Sequence, residues 1–556
     1  MTYRRFKYES LLYLLAFLIA ITLRFIQLGA MPLADAEAAP ALQALRLSQG
    51  ENPALAPHPF YILFTSVLFF LYGGGTDFLA RFIPALTGSL LVFAPLLFDN
   101  RIKPRPGLLL AFFLALDPGL VAISRQAASP ILAITFLIFT FGFLNKNRSL
   151  LASIFAALTL LSGPPIWLGM LGLGIAWMIF QIFNRSKVSL FNVQSFKFSN
   201  LIPFLIAFVV AGTLFSSAPS GIGAAFASIP AFINGWLNPS DVTPGRILLS
   251  ILIYQPFILV LAVIALIRGW MRGIQRIIFL SIWLLVSLLL VIFLPSRQVA
   301  DLAWTLIPLS VLASLEFARS FNIFPEERRE VAGVVLLTVF IWVFAWMGFS
   351  GMIWFPSDSQ EYILRLWMFV GSLVLLVLSL LLVAAGWSVR TARFGGIWGL
   401  AIALGALSLS GAFGSAGLRG SNFPELWWLP SAPAQADLLR ATVREVSEFG
   451  VGHDTSAPVV IAGLNSPSLE WTLREHNVRV VGSLDASSAP EFVVTPFETD
   501  PVLVAGYRGQ DFTWRQTPLW VGADPGTWFR WIALRDMPQY GETIILWARD
   551  DLFLDR

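Results

Sequence analysis

Cysteine is absent from the 556 residues, and histidine occurs only at His58, His453 and His476. The first absence excludes disulfides, thiolate metal sites and a cysteine nucleophile. The second leaves too few imidazoles for a histidine metal cluster and argues against a Ser-His-Asp triad. Charge is also sparse. Lys, Arg, Asp and Glu make up 13% of the chain, and the net charge of +4 is small for this length. That balance calls for a positional explanation and gives no reason to invoke nucleic acid. No small-residue cleavage site follows the first apolar run, which therefore reads as a retained anchor.

What the chain has in abundance is apolar surface: 57% of residues are hydrophobic, with 48 Phe and 20 Trp. Apolar runs of roughly 17 to 25 residues, each long enough to cross the hydrocarbon of a bilayer as a helix, recur from Leu11 to about Phe413. The expected architecture is an all-α polytopic membrane bundle over residues 1–418 followed by a small extracytoplasmic α/β domain over 419–556, where charges become frequent and apolar runs shrink to strand length.

Basic residues sort the crossings. They cluster at Arg4, Arg5 and Lys7; Arg101, Lys103 and Arg105; Lys146 and Arg148; Arg185, Lys187 and Lys197; Arg268, Arg272 and Arg276; Arg319, Arg328 and Arg329; and Arg390 and Arg393. These belong on the cytoplasmic side. The rule holds only if His58–Tyr72 is an interfacial or re-entrant helix, and Pro57, Pro59 and Gly73-Gly74-Gly75 break the chain on either side of it. Thirteen crossings then remain, near 10–27, 80–99, 106–123, 128–144, 149–163, 165–183, 199–217, 247–267, 276–294, 299–317, 331–351, 362–385 and 395–416. An odd number places the N-terminus in the cytoplasm of a plasma-membrane protein and the C-terminal domain outside, on the face of the 28–79 loop.

That loop carries "PLADAEAAPALQALRLSQG", predicted as an amphipathic surface helix over about 36–49 with Ala38, Ala41, Leu42 and Leu45 on one side and Gln43, Arg46 and Gln49 away from it. Asp35 and Glu37 then face the outer edge of the bundle. They serve either as N-cap and first-turn acid or as chemistry. Other polar groups fall on the same face: Asp117-Pro118, Ser124-Arg125-Gln126, the loop Pro295-Ser296-Arg297-Gln298 with Asp301, and a second candidate surface helix from Phe226 to Trp236. Arg125 and Arg297 either meet a lipid phosphate, snorkel to headgroups, or pair with Asp117 and Asp301. Arg24 needs a partner near the end of the first crossing, Asp35 or Glu37, or else substrate. His58 is a loop residue beside prolines or a substrate contact. Gly73–Gly75 has no strand or Lys-Ser/Thr to make a phosphate loop.

Several stretches together resemble the GT-C membrane glycosyltransferases, in particular the branch with protein O-mannosyltransferases and the bacterial lipid A aminoarabinose transferase (glycosyltransferase family 39-like). "LRFIQLGAMPLADAEAAPALQAL" resembles the end of the family's first helix and its acidic first-loop motif. "PHPFYILFTSVLFFLYGGGTDFLARFIPALTGSL" resembles the surface helix and the Arg-x-x-Pro-Ala-x-x-Gly opening of the second crossing, and "LLLAFFLALDPGLVAISRQAASPIL" the next helix pair with its Ser-Arg turn. The resemblance covers roughly residues 15–145 and extends to the rest by architecture. It implies a polyprenyl-phosphate-linked sugar as donor, a membrane setting, an unnamed acceptor protein or glycan, and inversion at the sugar. It also implies a first-loop carboxylate, Asp35 or Glu37, as general base. Arg125 and Arg297 would contact phosphate, and Asp117, Arg24 and His58 would complete the substrate set. A divalent metal ion is the one cofactor it leaves open.

The chain departs from the pattern in two ways. Ala36 separates the two acids, and no Asp stands near Ser129 or Pro130, with Asp117 the only substitute. A non-catalytic scaffold or lipid-linked-glycan handling subunit of a membrane complex is the rival reading. A transporter is disfavoured, since no two-fold internal repeat is visible. In the tail, "NSPSLEWTLREHNVRVV" and "IILWARDDLF" resemble the outer domains of large bacterial GT-C-like proteins. Its patterning predicts helices over Ala434–Glu448 and Ser468–His476, and strands over Val459–Ala462, Val478–Val481, Phe492–Val494 and Thr543–Trp547.

Overall fold

The computed structural model describes residues 2–98, 104–183, 201–420, 423–430, 432–485, 488–498 and 504–553. The basic residues Arg101, Lys103, Arg185, Lys187 and Lys197 lie outside the described residues. Between Thr2 and Ser415 the described residues are helical apart from short connections, as a segment this apolar must be, because only a helix satisfies its own backbone in hydrocarbon.

Eight helical stretches among the described residues are long and apolar enough to cross a membrane: Tyr8–Phe25, Asp77–Leu97, Pro165–Phe183, Gln275–Phe293, Val299–Phe321, Arg328–Met352, Gln360–Gly386 and Val389–Ser415. Two bent pairs raise the number to ten at most. The expected thirteen is not reached by length. The stretches expected to cross at 128–144, 149–163 and 199–217 form helices of 15, 12 and 12 residues, shorter than the roughly 20 residues that span ~30 Å.

Both bends occur at an X-Pro step. The expected crossing at 106–123 breaks by 57° at Asp117-Pro118, and that at 247–267 by 93° at Gln255-Pro256. Proline removes an N–H and pushes its ring against the preceding turn. At the first break Asp117 restarts the helix as its N-cap, accepting from the Leu120 amide at 2.9 Å.

The loop between the first two crossings folds into the helices Asp35–Ser48 and Pro59–Tyr72. Ala38, Ala41, Leu42 and Leu45 are buried, as the patterning requires. At 14 residues the Pro59–Tyr72 helix reaches only about 21 Å, and Gly73, at φ 82°, closes it in the left-handed conformation. A third short helix, Ser220–Asn234, covers the ground expected of the Phe226–Trp236 segment, beginning six residues earlier.

The C-terminal part is a six-stranded sheet of β1 (Ala432–Pro433), β2 (Val459–Ala462), β3 (Val478–Val481), β4 (Phe492–Pro496), β5 (Tyr507–Pro518) and β6 (Gln539–Arg549), in the order β1-β5-β6-β4-β2-β3. β2 runs parallel to β3 and β4, while the pairs β4–β6, β5–β6 and β1–β5 are antiparallel. The helix Ala436–Val451 packs Leu439 and Val443 onto it. The expected helix over Ser468–His476 is only Pro467–Thr472, and the structure adds three elements to those expected: β1, β5 and the helix Pro525–Leu534. The sheet has its own core, but Trp427, Trp471 and Trp531 leave it and join the core of the bundle.

Candidate functional site at the seam between bundle and sheet

The two first-loop acids separate cleanly. Ala34, not Asp35, is the N-cap of the surface helix; Asp35 is its first residue and Glu37 its third. From that position the Glu37 carboxylate reaches back to the Ala34 amide at 3.3 Å. It also accepts from Arg81 Nε at 2.9 Å and Nη2 at 2.6 Å, and from the Ala127 amide at 2.9 Å. Arg81 spends its remaining donors on the carbonyls of Leu28, Met31 and Pro32. Both side chains are buried, and the pair is bidentate with every group satisfied, the condition under which a buried ion pair is tolerated. Glu37 therefore holds the loop to the second crossing and to the turn after Gln126.

Asp35 faces the other way, towards the sheet. Its Oδ1 accepts from Ser466 Oγ at 2.9 Å, Ser468 N at 2.9 Å and Ser468 Oγ at 2.7 Å, and its Oδ2 from Arg515 Nη2 at 2.5 Å. This is why it does not cap its own helix. Burial pushes the Asp35 carboxyl upward, but the Ser468 and Ser466 hydrogen bonds and the Arg515 guanidinium outweigh it and hold the group below the usual carboxylate range. A carboxylate offers about four acceptor positions, and the sheet domain supplies four donors.

Further contacts lie alongside. Arg46 pairs with Glu470, Trp471 Nε1 donates to Asp77 Oδ1 at 2.7 Å, and Arg474 Nε donates to the Gly75 carbonyl at 3.0 Å. The third glycine of the Gly73–Gly75 run has a role beyond breaking the chain: a Cβ on Gly75 would lie 2.8 Å from the Trp471 ring. A second anchor joins the sheet end to the bundle at Glu425, fully buried. It accepts from Tyr254 and from Arg419 Nη1 at 2.8 Å, with Arg535 Nε at 3.5 Å.

The other expected site residues are partly structural. Arg24 pairs with neither Asp35 nor Glu37; its guanidinium donates to Ser124 Oγ and to the carbonyls of Ala20, Leu114 and Ala115, closing the C-terminal end of the helix that stops before Asp117. Arg125 does not pair with Asp117. It caps the first crossing through the carbonyls of Leu23, Arg24, Ile26 and Gln27. Asp117 is buried in the broken span and not displayed in an outer loop. Asp301 accepts from its own Gln298 amide at 2.8 Å and does not pair with Arg297. Arg297 donates Nη1 to the Val242 carbonyl at 3.0 Å, while its buried Nε has no acceptor among the described residues. His58 is packed against Gly163, and burial lowers it to about 4 against a hydrogen bond with the Ser162 backbone.

Two crystal structures of ArnT from Cupriavidus metallidurans, one bound to undecaprenyl phosphate and one in the apo state, match this chain with TM-scores of 0.54 and 0.52. Identity is 13% in each, over 87% of this chain and 93% of ArnT. The chain shares its fold with these two structures. No family profile matches the chain, and no curated protein matches it in sequence.

At this site the sequence alone does not point to Arg81, Ser466, Ser468, Arg515 or the Glu425 cluster. Arg81 carried a signal: an arginine inside an apolar segment requires a nearby acid. The serines and Arg515 carried none, since their partner lies more than four hundred residues away. No three Asp, Glu or His side chains converge among the described residues.

Proposed function

We propose that this protein transfers a sugar from a polyprenyl-phosphate carrier to an acceptor on the outer face of the membrane, with inversion and with Asp35 as general base. The observation that carries the reading is the placement of Asp35: a carboxylate held ionised at the seam where the bundle meets the sheet, in a fold shared with an undecaprenyl-phosphate-bound ArnT. Asp35 is preferred to Glu37 because the Glu37 carboxylate is buried in its ion pair with Arg81, whereas Asp35 stays partly exposed.

In the proposed reaction the acceptor hydroxyl gives its proton to an Asp35 oxygen as the oxygen attacks the anomeric carbon. The bond from that carbon to phosphate breaks, and the polyprenyl phosphate leaves with the electron pair. Charge grows on the phosphate, and Arg297, with an unspent buried N–H, is the first-choice donor to it. Arg24 and Arg125 are assigned to scaffold roles because carbonyl oxygens already use them.

Three donors crowd Asp35 Oδ1 and Arg515 alone meets Oδ2, so the acceptor hydroxyl would approach Oδ2 beside Arg515. On this reading the described arrangement is a closed resting state, and lifting of the sheet domain from the loop admits the acceptor. Loss of the Arg515 and serine contacts also raises the Asp35 pKa and strengthens it as a base. The same saturation favours the scaffold as second reading, in which the contact is permanent and Asp35 is a docking residue.

Incubation of the purified protein with radiolabelled polyprenyl-phosphate sugars and candidate acceptors tests the proposal. Labelled acceptor supports transfer. Absence of transfer from every donor supports the scaffold.

A further inference from the structure

The end of the bundle away from the sheet carries a feature unconnected with Asp35. The helix Pro256–Met271 starts beside Tyr254, which bonds Glu425, and its 16 residues run about 24 Å to the opposite end. There a cavity of about 370 Å³ is lined by Ile264, Ile267, Arg268, Met271 and Arg272. Ile264, Ile267 and Met271 are exposed on the outer surface of the helix, so the cavity opens where hydrocarbon would lie. All five side chains lie along one face of this helix, three apolar and two guanidinium, so the cavity is an open recess.

The charges around it do not balance. Among the described residues one carboxylate, Glu316, pairs with these arginines: it meets Arg268 at 2.6 Å and Arg319 at 3.9 Å, and Arg272 and Arg393 also act on its charge. Four guanidiniums face one carboxylate, an excess of three positive charges at a half-buried site. Arg268 adds a specific vacancy, a buried Nε without an acceptor among the described residues. Residual cation, an unspent N–H and an adjoining apolar wall are the complement of a phosphate attached to acyl chains.

We propose that this cavity binds one anionic phospholipid, its phosphate on Arg268 and Arg272 and its acyl chains along Ile264 and Ile267. An anionic headgroup near a membrane surface gains about fivefold in affinity for each arginine it meets. A lone arginine that snorkels outward would show no such preference for one lipid.

The test is native mass spectrometry of the full chain in detergent, titrated with phosphatidylglycerol or phosphatidylcholine, with and without inorganic phosphate. One phosphatidylglycerol adduct should survive activation that strips phosphatidylcholine. Retention should fall about fivefold in Arg272→Gln and stay unchanged in Arg329→Gln, a control at another exposed basic position. Among the described residues Arg272 makes no ion pair within 4 Å, so its loss leaves the Arg268–Glu316 bridge intact and the protein folded. Equal retention of the two lipids, undiminished selectivity in Arg272→Gln, or an equal loss in Arg329→Gln overturns the proposal. Displacement of the adduct by millimolar phosphate overturns the lipid assignment in favour of a soluble anion.

Discussion

Replacing Arg515 with glutamine should loosen the sheet domain from the first loop. Arg515 Nη2 lies 2.5 Å from Asp35 Oδ2, and both side chains are about three-quarters buried, with exposures of 22% and 24%. A charge-assisted hydrogen bond in that setting contributes about 1.5 to 3 kcal/mol. The neighbouring bonds from Ser466 and Ser468 remain, so the low end, about 1.5 kcal/mol, is expected. That is roughly a tenfold rise in the open population. Hydrogen exchange reads it directly: the Ser468 amide, which bonds Asp35 in the closed state, should lose about tenfold in protection, while β4 and β6 should keep theirs. If the closed state is a resting state, transfer should be undiminished or faster. Unchanged protection at Ser468 would refute the claim that this contact holds the domain down, and a matching loss across the whole sheet would mean that the substitution unfolds the domain.

Three further outcomes follow from the same geometry. Glu37→Ala strands the buried Arg81 without its counter-charge and should cost about 3 to 5 kcal/mol, seen as a fall in Tm, whereas a surface pair such as Arg508–Asp550 should contribute under about 1 kcal/mol. Gly163→Ala should destabilise by about 1 to 3 kcal/mol, because Gly163 sits at φ +97° and a Cβ there would be 2.5 Å from the Pro57 carbonyl oxygen. His58, lowered by burial to about 4 from 6.5, is neutral in the fold. The unfolded chain binds the extra proton between those values, so this stability is fully present above about pH 6.5 and lost as pH falls towards 4. It amounts to about 3 kcal/mol, and His58→Gln should flatten the dependence of Tm on pH in that window.

The parts of the structure legible in the sequence were those written locally. Apolar run length announced the bundle, and the spacing of Ala38, Ala41, Leu42 and Leu45 announced the surface helix. Alternation found β2 and β3 to the residue. A helix end is legible at Asp117-Pro118, where the helix Pro104–Leu116 stops; the break at Gln255-Pro256 is harder to read, because apolar residues flank it on both sides and only the bend angle separates a kink from a crossing. β5 escaped because its twelve residues expose a polar, Arg- and Gln-containing edge with little alternation. At the site, chemistry-bearing residue types stood out but their partners did not. Asp35 was noticed for its charge, yet what decides its role is Arg515, supplied from the far end of the chain. Arg24 and Arg125 were misleading for the same reason: an arginine facing a helix C-terminus and one facing a phosphate look alike until the carbonyls are in place.

The most direct test of the central claim compares Asp35→Asn with Glu37→Gln in the transfer assay, with each rate divided by the folded fraction. Asparagine keeps the shape of Asp35 but accepts no proton, so turnover should drop by about 10² to 10⁴ while the protein stays folded. Glu37→Gln should lose stability yet retain its rate per folded molecule. Undiminished turnover in Asp35→Asn would show that the carboxylate at the seam docks the sheet domain and takes no part in the chemistry.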